Sequence, residues 1–142
     1  MTDPAETFVG IDVSKARFDV AAHNQPSSWQ AANTDAGIAQ LVKQLQAMNP
    51  TLVVLEATGG FELRLVAELA AGKLPVVVTN PRRVRNFARS TGQLAKTDKL
   101  DAKMLAHFAA ALQLDPDARA AALDVLEQAG VIVCESNAAA AR

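Results

Sequence analysis

Two short apolar segments, each associated with an acidic residue, constrain the fold of this chain more than any other feature. Residues 7–13 (TFVGIDV) and 51–55 (TLVVL) are rich in β-branched and aliphatic side chains, which is typical of buried strands. Asp12 lies near the end of the first segment, and Glu56 directly follows the second. Because sites in open α/β sheets form outside the carboxyl ends of strands, these two carboxylates converge if the strands are neighbours.

The remaining segments give a β-β-β-α-β-α-β-α-α order along the chain. Alternating polarity and turn residues indicate further strands, while helical spacing, caps and Gly or Pro stops indicate the helices. The predicted elements are strands at 7–13, 17–22, 28–32, 51–55 and 74–79, helices at 35–48 and 61–71, a basic helical segment from Pro81, and a helix at 97–112. This order predicts an α/β fold with a five-stranded mixed sheet and helices on both faces.

The distribution of charge is more informative than its sum. The formal net charge is −1, which argues against a simple polyanion binder. One segment is nevertheless strongly basic, and the sequence turns acidic after Leu114. A basic segment followed by an acidic tail indicates a localised anionic partner, although a solvated charged face remains the alternative. The basic segment carries Arg82, Arg83, Arg85, Arg89, Lys96, Lys99 and Lys103 against Asp98 and Asp101.

Length and pattern predict one domain with an appendage. We expect the domain at residues 1–114 and an acidic, Ala-rich tail at 115–142 that is partly helical or disordered. The single Cys134 excludes an internal disulfide and fits a reducing compartment. The polar amino terminus lacks the features of a signal peptide, and no apolar run approaches the roughly 18 residues of a membrane span. We therefore expect a cytoplasmic protein without a membrane partner.

Asp98 and Asp101 are the second acidic pair. They are three residues apart on the predicted last helix and would share one of its faces. If they meet Asp12 and Glu56, four carboxylates repel one another unless cations lie among them, and such oxygen-rich sites suit Mg²⁺ or Mn²⁺. Each acid also has a plain structural interpretation, as a surface residue at a strand end or, for Asp98, as a partner of the helix dipole.

Four motifs stand in a fixed order along the chain: FVGIDVSK at 8–15, LEATGG at 55–60, NPRRVR at 80–85 and AKTDKLDA at 95–102. Together they resemble the amino-terminal DEDD domain of IS110-type transposases, and the resemblance covers roughly residues 7–112. It implies an RNase H-like (RuvC-like) fold. It also implies catalytic and metal-binding roles for the residues that match the family's four acidic positions, which are Asp12, Glu56, Asp98 and Asp101.

The resemblance further implies a DNA recombinase that moves insertion sequences, uses a structured non-coding RNA to choose DNA sites, and is a homo-oligomer when full-length. Such a bacterial enzyme would associate with the nucleoid when bound to DNA. The family's strand exchange also needs a carboxyl-terminal domain with a serine nucleophile. This sequence ends before such a domain, so we expect a truncated form that is incomplete for catalysis on its own.

Basic side chains and backbone N–H groups are the expected contacts to nucleic acid, because phosphate contacts dominate its affinity. The N–H groups of Thr58, Gly59 and Gly60 precede a predicted helix, where an anion can bind, although plain turn chemistry also explains them. The side chains expected to contact nucleic acid are Lys15, Arg82, Arg83, Arg85, Arg89, Lys96 and Lys99.

Three other functions remain open from the sequence. A stand-alone RuvC-type junction resolvase would have the same fold and acids without a serine domain. An actin-like ATPase lobe shares an early Asp, but it needs a Gly-rich phosphate hairpin, and residues 13–17 contain no Gly. A non-catalytic remnant that binds RNA or partner chains would use the same basic segment.

Overall fold

The computed structural model describes residues 6–23, 25, 28–56, 58–92 and 101–114, with side chains through residue 112. The expected tail at 115–142 lies outside the described residues, as do Lys96, Asp98 and Lys99. The elements are β1 (Phe8–Val13), β2 (Arg17–Ala22), β3 (Ser28–Ala32), α1 (Asp35–Met48), β4 (Leu52–Glu56), α2 (Leu63–Ala71), β5 (Val76–Thr79), α3 (Pro81–Ser90) and α4 (Ala102–Leu114).

The five strands form one mixed sheet in the order β3-β2-β1-β4-β5. β1, β2 and β3 pair antiparallel, whereas β1, β4 and β5 pair parallel. The predicted mixed sheet is therefore confirmed. In the β1–β4 pair, Ile11 lies opposite Leu55, so Asp12 and Glu56 are the next residues on adjacent parallel strands. Both carboxylates consequently reach the same edge of the sheet.

Helices cover both faces of the sheet, as predicted. α1 and α2 pack against each other, and α3 packs against α4, which lies across β1, β2 and β4. Buried aliphatic side chains from every strand except the edge strand β3 fill the core, including Ile11, Leu55 and Val78. No helix among the described residues combines the length and apolar character that crossing a membrane requires.

Small residues allow α4 to approach β1 closely. A Cβ atom placed on Gly10 would lie 2.2 Å from the backbone oxygen of Ala102 and 2.3 Å from the backbone nitrogen of Ala106. Ala102 and Ala106 are themselves buried. Close packing of backbone on backbone therefore fixes where α4 begins above the sheet, and Asp101 directly precedes that point.

Two helices begin later than the sequence pattern predicts. α2 begins at Leu63 rather than Phe61, because residues 61 and 62 form a turn. Asp101 lies just before α4 and not inside it, so the expectation that Asp101 occupies a helical face is wrong. Its side chain accepts a hydrogen bond from the Met104 N–H group at 2.9 Å. Aspartate is favoured at this position because its short side chain can accept a hydrogen bond from a free N–H group of the first helical turn, whereas it is unfavourable inside a helix.

Candidate functional site

Asp12 and Glu56 form a coupled acidic pair at the carboxyl edge of the sheet, and both are half-buried. Burial raises the pKa of the Glu56 carboxyl above its usual range, and the negative charge of Asp12 raises this pKa further. The sequence prediction that these two carboxylates converge is thus supported by the strand pairing and by their electrostatic coupling.

Arg85 is the cation that opposes this effect, since it lowers the pKa of Glu56. It lies on α3, which follows β5 and therefore begins at the same edge as the acidic pair. The start of α3 is well defined, because Asn80 Oδ1 accepts from the Arg82 N–H group at 2.8 Å and Pro81 occupies the first turn. The pKa of Glu56 remains raised, so Arg85 compensates the local negative charge only in part.

The polar row continues across the sheet beyond the acidic pair. In the β1–β2 register Asp12 lies opposite Asp19, and Asp19 lies opposite Gln30 on β3. Gln30 Nε2 donates to Asp19 Oδ1 at 2.7 Å. On the other side, Glu56 lies opposite the buried Thr79. Asp19 was not predicted as part of this site. The alternating pattern of β2 is visible in the sequence, but the position of Asp19 opposite Asp12 depends on the register of the hairpin.

Two buried polar atoms at this edge lack a hydrogen bond within the described part of the chain: Glu56 Oε2 and Thr58 Oγ1. A buried carboxylate oxygen without a donor is costly, and a bound cation is one way to satisfy it. Carboxylate oxygens are also the ligands that Mg²⁺ and Mn²⁺ prefer. The chemistry of the pair therefore fits a divalent metal.

The described residues bring together only part of the predicted four-carboxylate set. Among them, no group of three His, Cys, Asp or Glu side chains is close enough to hold a metal ion. Asp101 caps α4 and does not complete the Asp12–Glu56 pair there. Asp98 lies outside the described residues.

Glu62 fills the backbone niche in which the sequence suggested an anion. Its Oε1 accepts from the N–H groups of Thr58 at 3.0 Å and Gly60 at 3.2 Å, and its Oε2 accepts from Gly60 at 3.3 Å. Gly59 and Gly60 have φ angles of 81° and 127°, so the turn needs glycine at both positions. The role of Glu62 was not predicted. An acidic residue just after a Gly-Gly turn and just before a helix could have indicated a carboxylate that accepts hydrogen bonds from the N–H groups of the turn.

The expected nucleic-acid contacts that the structure describes lie on α3 and on the β1–β2 turn. Lys15 is exposed on that turn, which Ser14 closes by donating from Oγ to the Arg17 carbonyl at 2.6 Å. On α3, Arg82 and Arg89 are exposed, whereas Arg83 and Arg85 are half-buried. The α3 cations thus begin beside the acidic pair and extend away from it.

Comparison with known proteins is consistent with this geometry. The family model of the IS110-type DEDD domain, described as a transposase, matches residues 9–138. Pilin gene-inverting proteins of Moraxella bovis and Moraxella lacunata are 33% and 32% identical over 112 residues. Each match covers 75% of this chain and 35% of the relative, so the chain spans about a third of the length of these relatives.

The structure of T. thermophilus RuvC in complex with a Holliday junction substrate has a TM-score of 0.51 to this chain at 14% identity. The similarity covers 70% of this chain and 90% of that chain, and it shows the RuvC-like, RNase H-type fold that the sequence motifs predicted. Because the family model matches residues 9–138, the chain belongs to the IS110-type DEDD transposase family.

Proposed function

We propose that this chain is a DNA recombination domain that holds Mg²⁺ or Mn²⁺ against a nucleic-acid backbone. The observation that carries the proposal is the buried Oε2 of Glu56, which has no hydrogen bond to any residue that the structure describes and lies beside Asp12 on the adjacent parallel strand. Asp98 and Asp101, from the matching family motif, are the proposed further ligands. For Asp101 this requires its side chain to exchange its cap on α4 for the metal when DNA binds.

The proposed roles follow from position and charge. A bound divalent cation supplies charge stabilisation to attacking and leaving oxygens in phosphoryl transfer. Asp12 and Glu56 would supply oxygen ligands from two hydrogen-bonded neighbouring strands, which limits the movement of these ligands. Arg85 lies near Glu56 and offsets part of the negative charge of the acidic pair.

Cationic side chains on either side of the acidic pair are the proposed contacts to DNA phosphates. On the described part of the chain these are Lys15, Arg82, Arg83, Arg85 and Arg89, and the family motif adds Lys96 and Lys99. The names of the Moraxella relatives describe inversion of a gene, which supports DNA as the substrate. The family resemblance adds a structured non-coding RNA and self-association of a longer enzyme as further proposals.

Mn²⁺ titration of the purified chain tests the metal site. We expect wild-type protein to bind Mn²⁺ saturably. Calorimetry measures the affinity, and paramagnetic broadening of nuclear magnetic resonance signals near Asp12 and Glu56 locates the bound ion. Asp12→Asn and Glu56→Gln should each weaken binding by at least about tenfold, because each removes a charged ligand. Glu68→Gln is the matched control, since Glu68 is an exposed carboxylate on α2.

The same titration decides between the metal site and its alternatives. Equal Mn²⁺ affinity in wild type and in both site variants would refute the assignment of Asp12 and Glu56. If metal binding appears only when a DNA duplex is present, the proposal stands with DNA as a required part of the site.

A further inference from the structure

Glu62 is an unusual residue for its environment. Its side chain is only 5% exposed, and a buried carboxylate is costly unless hydrogen bonds or a cation compensate it. Both of its oxygens are satisfied by backbone N–H groups of the preceding turn, those of Thr58 and Gly60. Hydrogen bonds from N–H groups to a charged carboxylate are about twice as strong as those between neutral groups.

Glu62 differs from an ordinary helix-capping residue because its side chain bonds to residues before the helix and not to the helix itself. Glu62 occupies the N-cap position of α2, but its side chain makes no capping bond to the helix. The carboxylate points back to residues two and four positions earlier, and so closes the turn between β4 and α2 into a ring. Gly59 and Gly60 of this turn both have positive φ angles, a conformation that glycine adopts readily.

We propose that Glu62 is a positioning residue that holds the Thr58–Gly60 turn and, through it, the Glu56 carboxylate two residues before Thr58. Its carboxylate occupies the anion niche of the turn, so this turn does not bind a nucleic-acid phosphate. Among the described residues, phosphates are left to the cations of α3 and of the β1–β2 turn. The role assigned toward Glu56 rests on the metal site proposed above, whereas the filled niche stands on the hydrogen bonds alone.

Two substitutions separate the charge of Glu62 from its shape. In Glu62→Gln, the remaining oxygen can still accept from both Thr58 and Gly60, since Oε1 alone makes both contacts. We expect this variant to keep the turn, with the amide signals of Thr58 and Gly60 moved upfield by the weaker neutral acceptor. Glu62→Ala removes the acceptor and leaves two converging N–H donors without a partner.

Formate is the probe of the emptied niche, because it is a free carboxylate that replaces the group lost in Glu62→Ala. In the absence of metal, we expect formate to shift the Thr58 and Gly60 amide signals of Glu62→Ala in a saturable manner. Wild-type protein and Glu62→Gln should show no such response, and inorganic phosphate should leave these signals of the wild type unmoved. Sodium chloride at equal ionic strength is the control.

Mn²⁺ affinity then tests the link to Glu56. We expect Glu62→Ala to bind Mn²⁺ about ten- to a hundredfold more weakly, as is usual when support for a metal ligand is lost. Formate should restore this affinity, which a general loss of folding would not allow, and Glu62→Gln should remain close to wild type.

Several results would overturn the inference. A saturable phosphate response of the wild-type turn would show that the niche is open, and the absence of any formate response in folded Glu62→Ala would show that the donors do not converge. If Glu62→Ala does not fold, unchanged Thr58 and Gly60 amide signals in Glu62→Gln would contradict the observed hydrogen bonds. If wild-type protein binds no Mn²⁺ either alone or with a DNA duplex, the proposed function fails, while the metal-free amide measurements still decide the filled niche.

Discussion

At the scale of single residues, Glu56 is held at a cost to stability. Burial and the charge of Asp12 raise its pKa, so ionised Glu56 is less favourable in the folded chain than in the unfolded chain. A carboxyl with a raised folded pKa lowers the free energy of unfolding as the pH rises above its unfolded pKa of about 4.3. Such a residue is better explained by a role in binding than by a role in folding.

We therefore expect Glu56→Gln to raise the free energy of unfolding at pH 7. The gain should disappear below about pH 4, where the carboxyl is protonated in both states. Urea unfolding of both proteins at several pH values measures the difference. Glu68→Gln on the exposed side of α2 controls for the loss of one negative charge. A variant that is less stable than wild type at pH 7 would show that Glu56 is favourably paired in the metal-free protein.

Gly10 and Gly59 offer a second comparison of single residues, because they are glycine for different reasons. A Cβ atom on Gly10 would collide with backbone atoms of α4, whereas a Cβ atom on Gly59 meets nothing within 4 Å. Gly59 instead has a φ of 81°, which disfavours side chains through the backbone alone.

Gly10→Ala should lower the free energy of unfolding by about 3 kcal/mol, the upper range for overpacking a close contact. Gly59→Ala should lower it by about 1–2 kcal/mol, the usual cost of a left-handed conformation. Denaturant unfolding monitored by circular dichroism measures both. Equal losses in the two variants would mean that α4 shifts to accommodate the added Cβ atom at a lower cost than the close contact at Gly10 predicts.

At the scale of helices and strands, local pattern predicted the elements and their order. The apolar run before Glu56 was sufficient to predict β4, and the helical spacing of apolar residues was sufficient to predict α1. Each pattern reflects which side chains of that element are buried, so it can be read without knowing the rest of the fold. The convergence of Asp12 and Glu56 was also predictable, since it needs only that β1 and β4 be parallel neighbours. Two other features could not be predicted from the sequence. The position of Asp19 opposite Asp12 depends on the register of the β1–β2 hairpin, and the contacts of Glu62 depend on how the preceding turn closes.

The end of the sheet opposite the acidic pair carries an aromatic cluster that joins three elements. The His23 ring, just after β2, stacks on the His107 ring of α4 with centroids 5.0 Å apart. Phe87 of α3 meets His107 edge-on at 4.9 Å and Phe108 at 5.5 Å. Burial lowers the pKa of His23, and the positive charge of His107 lowers this pKa further.

Acidification should therefore lower the free energy of unfolding through the contact between His23 and His107. Because the pKa of His23 is lower in the folded chain, the unfolded chain binds more protons as the pH falls below about 6.5, and the free energy of unfolding decreases. His107→Phe keeps the ring packing but removes one charge, so its stability should fall less between pH 7 and pH 5.5. Thermal unfolding across this range measures the two slopes. Parallel slopes would show that the two imidazoles do not influence each other's charge.

At the scale of the whole molecule, the charges nearly cancel in sum, although basic residues are concentrated in one segment of the sequence. The formal net charge is −1 and the sequence pI is about 6.1, so long-range attraction cannot draw the chain to nucleic acid. Any affinity must come from the local field of a cationic surface. α3 is the basic helix beside the acidic pair, and its exposed and half-buried arginines make it the surface on which the proposed function depends.

Neutralising α3 should weaken DNA binding far more than removing equal charge elsewhere. We expect the triple change of Arg82, Arg83 and Arg89 to Ala to lower affinity for duplex DNA and to reduce the slope of log affinity against log salt by about 2–3, since each phosphate contact contributes about 0.9. Arg85 is left in place because it also acts on Glu56. The matched control changes Lys43, Arg64 and Lys73 to Ala, which removes the same charge from exposed positions on or near α1 and α2. Equal salt slopes for the two triple variants, measured by fluorescence anisotropy, would show that α3 is a solvated face and would move the DNA-binding surface elsewhere on the molecule.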